Sequence, residues 1–151
     1  MIGAPVASDE LRSICQAGNQ FLRQIQGVNG EALLCALAKL ESNFGAWRVP
    51  RHESAYDEGG YYHRRSETVR KLRQKYGALM ACSYSSFQIL FVVAFELGFP
   101  GQPVELDEDE VAIRYVCGLL NNRIVPKLAQ AADPLRGIFD AYNSGSPLDS
   151  N

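Results

Sequence analysis

Near the amino terminus the apolar positions recur every three or four residues, with Leu11, Ile14, Cys15, Phe21, Leu22 and Ile25 on one stripe. That period marks an amphipathic helix. Ser8 or Asp9 stands where a capping side chain belongs, so a helix is predicted from there to about Gln24. Gly27 to Gly30 end it, and a second helix follows from about Glu31, with Leu33, Leu34, Leu37 and Leu40 as its apolar stripe. From Asn43 to about Ser66 the periodicity lapses, and Gly45, Pro50, Gly59 and Gly60 punctuate a segment rich in tyrosine, histidine and charge. A loop this long in a compact domain is usually functional or mobile, which makes it a candidate wall of an active site.

Ser66-Glu67-Thr68 starts a basic helix over Val69 to Lys75. The next helix is predicted to begin near Ser85 or Ser86 and to run through the apolar stretch until Gly98 and Pro100 stop it. Its apolar run, Phe87 to Leu97, is about half a membrane span and contains Gln88 and Glu96, so it reads as a buried helix. Asp107-Glu108-Asp109-Glu110 place acid at the positive end of a helix carrying Val111, Ile113, Tyr115, Val116, Leu119 and Leu120. Pro126 opens a short segment to Ala132, and Asp133-Pro134 caps a last helix from Leu135 to about Tyr142, closed by Asn143-Ser144-Gly145. Strand-like alternation is nearly absent. The expected fold is therefore all-α: one helical domain with its core over about residues 8–145 and a long loop after the second helix.

At 151 residues the chain has the length of one domain with a real core. A net charge of −2 gives no global attraction to nucleic acid or membrane. The basic run His63-Arg64-Arg65 with Arg70, Lys71, Arg73 and Lys75 reads as a solvated helix face. Cys15, Cys35, Cys82 and Cys117 are far apart and form no C-x-x-C, which favours buried thiols over disulfides. Met1 to Pro5 lacks the basic region and apolar stretch of a secretory signal, so synthesis in a reducing cytoplasm is expected. His52 and His63 are the only histidines and belong to no H-E-x-x-H or Cys/His cluster; neither a metal nor a cofactor is expected.

The informative residue is Glu41. At about 100° per residue it lies roughly 20° from Leu34 and 40° from Leu37, on their buried face. Desolvation raises the pKa of such a carboxyl, and a carboxylic acid that holds its proton near neutrality can protonate a leaving oxygen. Gln88, among Phe87, Ile89, Leu90 and Phe91, and Tyr142-Asn143, after Ile138, Phe139 and Ala141, are polar groups in similar apolar settings. Converging from separate elements, they would suit the hydroxyl and acetamido groups of a sugar.

Glu41-Ser42-Asn43-Phe44, Ser83-Tyr84-Ser85-Ser86-Phe87-Gln88-Ile89 and Ala141-Tyr142-Asn143-Ser144-Gly145 resemble, in order and spacing, the three motifs of lytic transglycosylases and goose-type lysozymes. Arg51-His52-Glu53 with Tyr56, and Gly98-Phe99-Pro100-Gly101 with Leu106-Asp107, are similar to phage-associated members of that family, the setting of endolysins. One position departs from the pattern: Ser85 stands where the family's second motif has glycine. The resemblance implies a lysozyme-like fold and cleavage of the β-1,4 bond from N-acetylmuramic acid to N-acetylglucosamine. Glu41 would be the general acid and later the base. Ser42 would hold the Glu41 environment, while Ser86, Phe87, Gln88, Tyr142 and Asn143 would bind the substrate. A lytic transglycosylase needs no second carboxylate, because the muramic acid 6-hydroxyl attacks the anomeric carbon to give a 1,6-anhydro product. A hydrolytic muramidase of the inverting kind does need one, which Glu53, Asp57 or Glu58 could supply. A non-catalytic wall-binding or structural module on the same scaffold is the remaining alternative. The implied partner is the peptidoglycan glycan strand, met by a monomer in the cell wall after phage-type release or delivery, with no nucleic acid and no membrane insertion.

Overall fold

Ser8 accepts a hydrogen bond from the Leu11 N–H at 3.1 Å and so caps α1 (Asp9–Gly18). A computed structural model describes residues 7–128 and 132–143. The first helix is shorter than its apolar period predicts, giving way to a 3-10 turn over Asn19–Phe21. The reason lies far along the chain: the Asn121 side chain donates to the Phe21 carbonyl and accepts from the Arg23 N–H, both at 2.8 Å, and so satisfies the backbone groups a longer helix would have used. Gly18 is pressed against Ile113, whose side chain a Cβ there would meet.

Asn29 caps α2 (Gly30–Ser42), and Asn43, in the left-handed region at φ 52°, ends it. Leu33, Leu34, Leu37 and Ala38 are buried, while Leu40 is 64% exposed and leaves the predicted stripe. The long loop that follows is organised. It contains β1 (Arg51–His52), a 3-10 turn over Ser54–Tyr56 and α3 (Tyr61–Arg65). Asp57 pins it, with one oxygen 2.6 Å from Arg73 Nε on α4 (Glu67–Tyr76) and the other 2.6 Å from His52 Nε2. Ser66 caps α4 as the sequence suggests, accepting from the Val69 N–H at 3.2 Å.

The helix expected from Ser85 is not formed. Residues 82–90 instead make a hairpin of β2 (Cys82–Tyr84) and β3 (Ile89–Leu90), and only Phe91–Glu96 are helical (α5). With β1 the hairpin completes a three-stranded antiparallel sheet in the order β1-β2-β3, pairing Arg51 with Ser83 and Tyr84 with Ile89. The fold is thus mostly helical with a small sheet, and the strictly all-α expectation is corrected. The physical cause is at the hairpin tip, where Ser85 (φ 75°) and Gln88 (φ 49°) occupy the left-handed region and cannot continue a right-handed helix. Side chains from elsewhere hold that tip: Asp107 Oδ1 accepts from the Ser85 N–H at 3.0 Å, and Asp109 Oδ1 from the Ser86 N–H at 2.8 Å.

A 3-10 turn over Pro103–Asp107 leads into α6 (Asp109–Leu119), with Asp109 and Glu110 in its first turn. A π-helical turn over Leu120–Ile124 passes directly into α7 (Val125–Leu128). In α8 (Pro134–Asn143), Asp133 Oδ1 accepts from the Arg136 N–H at 3.1 Å as an N-terminal cap. Ser144 and Gly145 lie outside the described residues. The core is continuous, joining Leu34 and Leu37 of α2 to Phe87 at the hairpin tip, Phe91 of α5, and Val116 and Leu120 along α6 and its π turn. Cys15, Cys82 and Cys117 are buried and Cys35 half-buried, all as free thiols. Among the described residues no helix is long and apolar enough to cross a membrane.

Candidate functional site

Glu41 sits in the last turn of α2, half-buried, and among the described residues no side chain bonds or ion-pairs with its carboxylate. Its pKa is raised above the ordinary carboxyl value, first by burial and further by the charge of Glu53, with the Arg51 guanidinium opposing. Arg51 Nη2 also reaches the Glu41 carbonyl oxygen at 3.4 Å, which brings β1 alongside the end of α2. Desolvation prevails, so the carboxyl is biased toward its protonated form.

The residues after Glu41 make a sharp exit. Asn43, Phe44 and Gly45 are all left-handed, at φ 52°, 59° and 87°. Two consecutive non-glycine residues in that region are costly and persist only where surrounding structure imposes them. Ser42 does much of this. Its hydroxyl accepts from the Gly45 N–H at 2.8 Å and donates to the Ser86 carbonyl at 2.6 Å, the shorter of its two carbonyl contacts. The α2 terminus and the hairpin tip, each in strained backbone, are thereby clasped together. On the far side of the tip, Ser86 Oγ donates to Asp109 Oδ2 at 2.6 Å, and Arg48 lies 3.6 Å from the same carboxylate.

The third motif reaches the same tip, where the Tyr142 hydroxyl donates to the Phe87 carbonyl at 2.7 Å. Burial, and then the nearby Glu41 charge, push the Tyr142 phenol well above its ordinary value, so it keeps its proton. The three sequence motifs, separated along the chain, therefore meet around residues 85–88. Ser42, Ser86 and Phe87 are buried with their polar groups engaged inside the protein, and Asn143 is exposed at the end of α8. Gln88 is also occupied: its amide nitrogen donates to the Ser85 carbonyl at 2.8 Å and the Val49 carbonyl at 3.3 Å. Its carbonyl oxygen accepts from the Ser83 hydroxyl at 3.5 Å, so both ends of the buried amide have partners within the protein.

Of the three loop carboxylates, only Glu53 acts on Glu41. It is half-buried, just past β1, and its own N–H is fixed to the Ala81 carbonyl at 2.7 Å. Asp57 is committed to Arg73, the Glu58 N–H and His52, which hold its carboxyl far below the usual range. Glu58 is exposed, 3.7 Å from Arg73. Arg48, Asp107 and Asp109, which shape the hairpin tip, have no signature of that role in the sequence beyond the acidic run, which reads equally well as a helix start. Compared with family models, with curated proteins and with solved structures, the chain matches none.

Proposed function

We propose that the protein cleaves the glycan strands of peptidoglycan as a lytic transglycosylase on a lysozyme-like scaffold, without a cofactor. What supports this reading above all is Glu41: a half-buried carboxyl with a raised pKa, no side-chain partner among the described residues, and the Tyr142 phenol close enough to feel its charge. In the proposed reaction Glu41 gives its proton to the oxygen linking N-acetylmuramic acid to N-acetylglucosamine, and the C–O bond to the anomeric carbon breaks. The ionised Glu41 then takes the proton of the muramic acid 6-hydroxyl as that oxygen bonds to the anomeric carbon. The products are a 1,6-anhydromuramic end and a free 4-hydroxyl, with no water consumed. Burial serves the first step by favouring the protonated acid, and the hydrogen-bonded hairpin tip serves both by fixing the backbone around the end of α2.

The position of Glu53 favours a second reading, hydrolysis. A carboxylate near enough to raise the Glu41 pKa is also a candidate base for water. Mass spectrometry of purified peptidoglycan digested by the unaltered protein separates the two, since anhydromuramic ends mark the lyase and reducing ends with uptake of water mark the hydrolase. In both cases Glu41→Gln should lower the rate at least about a hundredfold. Clearance of a wall suspension by Glu41→Gln as fast as by the parent would overturn the catalytic role of Glu41, and clearance by neither would leave the protein as a wall-binding or structural module.

A further inference from the structure

The three most exposed large apolar side chains among the described residues are Trp47 at 69%, Val49 at 66% and Leu40 at 64%. All three flank the end of α2 that carries Glu41. The Trp47 N–H donates to the Ser42 carbonyl at 2.9 Å, so the segment leading to β1 is laid along the last turn of that helix. Gln88 holds the Val49 carbonyl at 3.3 Å, and Arg51 reaches the Glu41 carbonyl at 3.4 Å. The backbone beneath the patch is thus bonded to both the helix end and the hairpin, while its side chains stand in water. Trp47 is the chain's only tryptophan. An exposed indole whose backbone is bonded to the residue after a candidate catalytic carboxyl suits a ligand with one apolar face and a polar rim.

We infer that Trp47, flanked by Leu40 and Val49, is a stacking platform for a pyranose ring of the glycan whose scissile bond lies at Glu41; this rests on the glycan-cleaving function proposed above. The C–H face of a pyranose is apolar and weakly positive, which suits the negative face of an indole, while its hydroxyl rim stays in water. A lipid surface fits less well. Arg48 is engaged by Asp107 and Asp109, and Arg51 by the Glu41 carbonyl, so these two neighbouring cations are not free for headgroups.

Because Trp47 is the sole indole, its emission reads the platform directly. Soluble, uncrosslinked peptidoglycan strands added to the Glu41→Gln protein, which binds without turnover, should shift the emission to shorter wavelength and lower its quenching by acrylamide. In the otherwise unaltered enzyme, Trp47→Ala should raise KM for those strands about tenfold with kcat little changed, and Trp47→Tyr should recover most of the loss. The side chain is exposed, so both variants should keep the parent Tm. If the emission does not move while the unaltered protein still cleaves glycan and Glu41→Gln does not, the platform is overturned and the proposed function stands. Loss of lysis in neither Glu41→Gln nor Trp47→Ala overturns both. A shift produced only by anionic vesicles, or only by raising protein concentration, assigns the patch to lipid or to a second copy and overturns the platform.

Discussion

Ser42 donates its hydroxyl proton to the Ser86 carbonyl at 2.6 Å, and this bond joins the residue after Glu41 to the hairpin tip that Tyr142 also grips. Ser42→Ala removes the donor to Ser86 and the acceptor for the Gly45 N–H together, leaving polar groups unpaired in the interior. The expected loss is about 1–3 kcal/mol. At roughly 2–4 °C per kcal/mol for a chain of this size, Tm should fall by several degrees. On the proposed function, wall-lytic activity should fall further than stability explains at temperatures where the variant remains folded, because the clasp fixes the end of the helix that carries Glu41. Thermal melts read beside lysis assays at 20 °C below Tm test this, and an unchanged specific activity would detach Ser42 from the site.

Ser85 occupies a position that favours glycine, at φ 75°, yet it is a serine whose Oγ accepts from the Phe87 N–H at 3.1 Å. Left-handed backbone costs an L-residue roughly 1–2 kcal/mol, and glycine is free of that cost. Ser85→Gly exchanges the lost hydrogen bond for relief of strain, so its stability should stay within about 1 kcal/mol of the parent. Ser85→Ala loses the same bond and keeps the strain, so it should be the less stable of the two. Urea denaturation of both variants gives the order, and alanine above glycine would mean that the turn is not strained.

Much of the helical framework is legible from the chain because its signals are local. Ser8, Ser66 and Asp133 each bond a backbone N–H three residues on, and the Leu34-Leu37-Glu41 spacing places the carboxyl without further information. The hairpin is not legible, because its determinants are remote. The acceptors that hold Ser85 and Ser86 are Asp107 and Asp109, 22 and 23 residues away, and the Gln88 amide closes on Val49, 39 residues back. An apolar run such as Phe87 to Leu97 offers a helix and a buried strand equally good periods, and here the remote carboxylates decided. The three motifs could be ordered from sequence, but that Ser86 and Phe87 offer them their carbonyl oxygens could not.

Asp57 fixes the loop that presents Glu53, and its carboxyl is held down first by Arg73, then by the Glu58 N–H and His52. A carboxyl whose pKa folding depresses adds stability in its ionised form. That stability is full above its unfolded value of about 4 and is lost as the pH falls through the lower folded value. Asp57→Asn should therefore lower Tm by several degrees at pH 6, and the difference should shrink as the pH falls below about 4. A difference that persists undiminished at pH 2 would mean that the side chain's shape, and not its charge, holds the loop.

Glu41 has the opposite sign. Burial lifts its folded pKa above that of the unfolded chain, so ionising it opposes folding. The penalty is absent well below the ordinary glutamate value of about 4.3 and complete above the raised folded value. Glu41→Gln cannot ionise, so it should melt a few degrees above the parent at neutral pH and lose that advantage in acid. Its lytic activity should at the same time fall at least about a hundredfold. If Glu41 is the general acid of the proposed reaction, activity in the parent should decline as the pH rises through the folded pKa, because the protonated form is then lost. A substitution that stabilises a protein while silencing it is the behaviour of a carboxyl kept for chemistry at the expense of the fold. Melting curves at a series of pH values beside turbidity assays measure both halves, and a variant no more stable than the parent at neutral pH would show that Glu41 is not desolvated in the way its position on α2 requires.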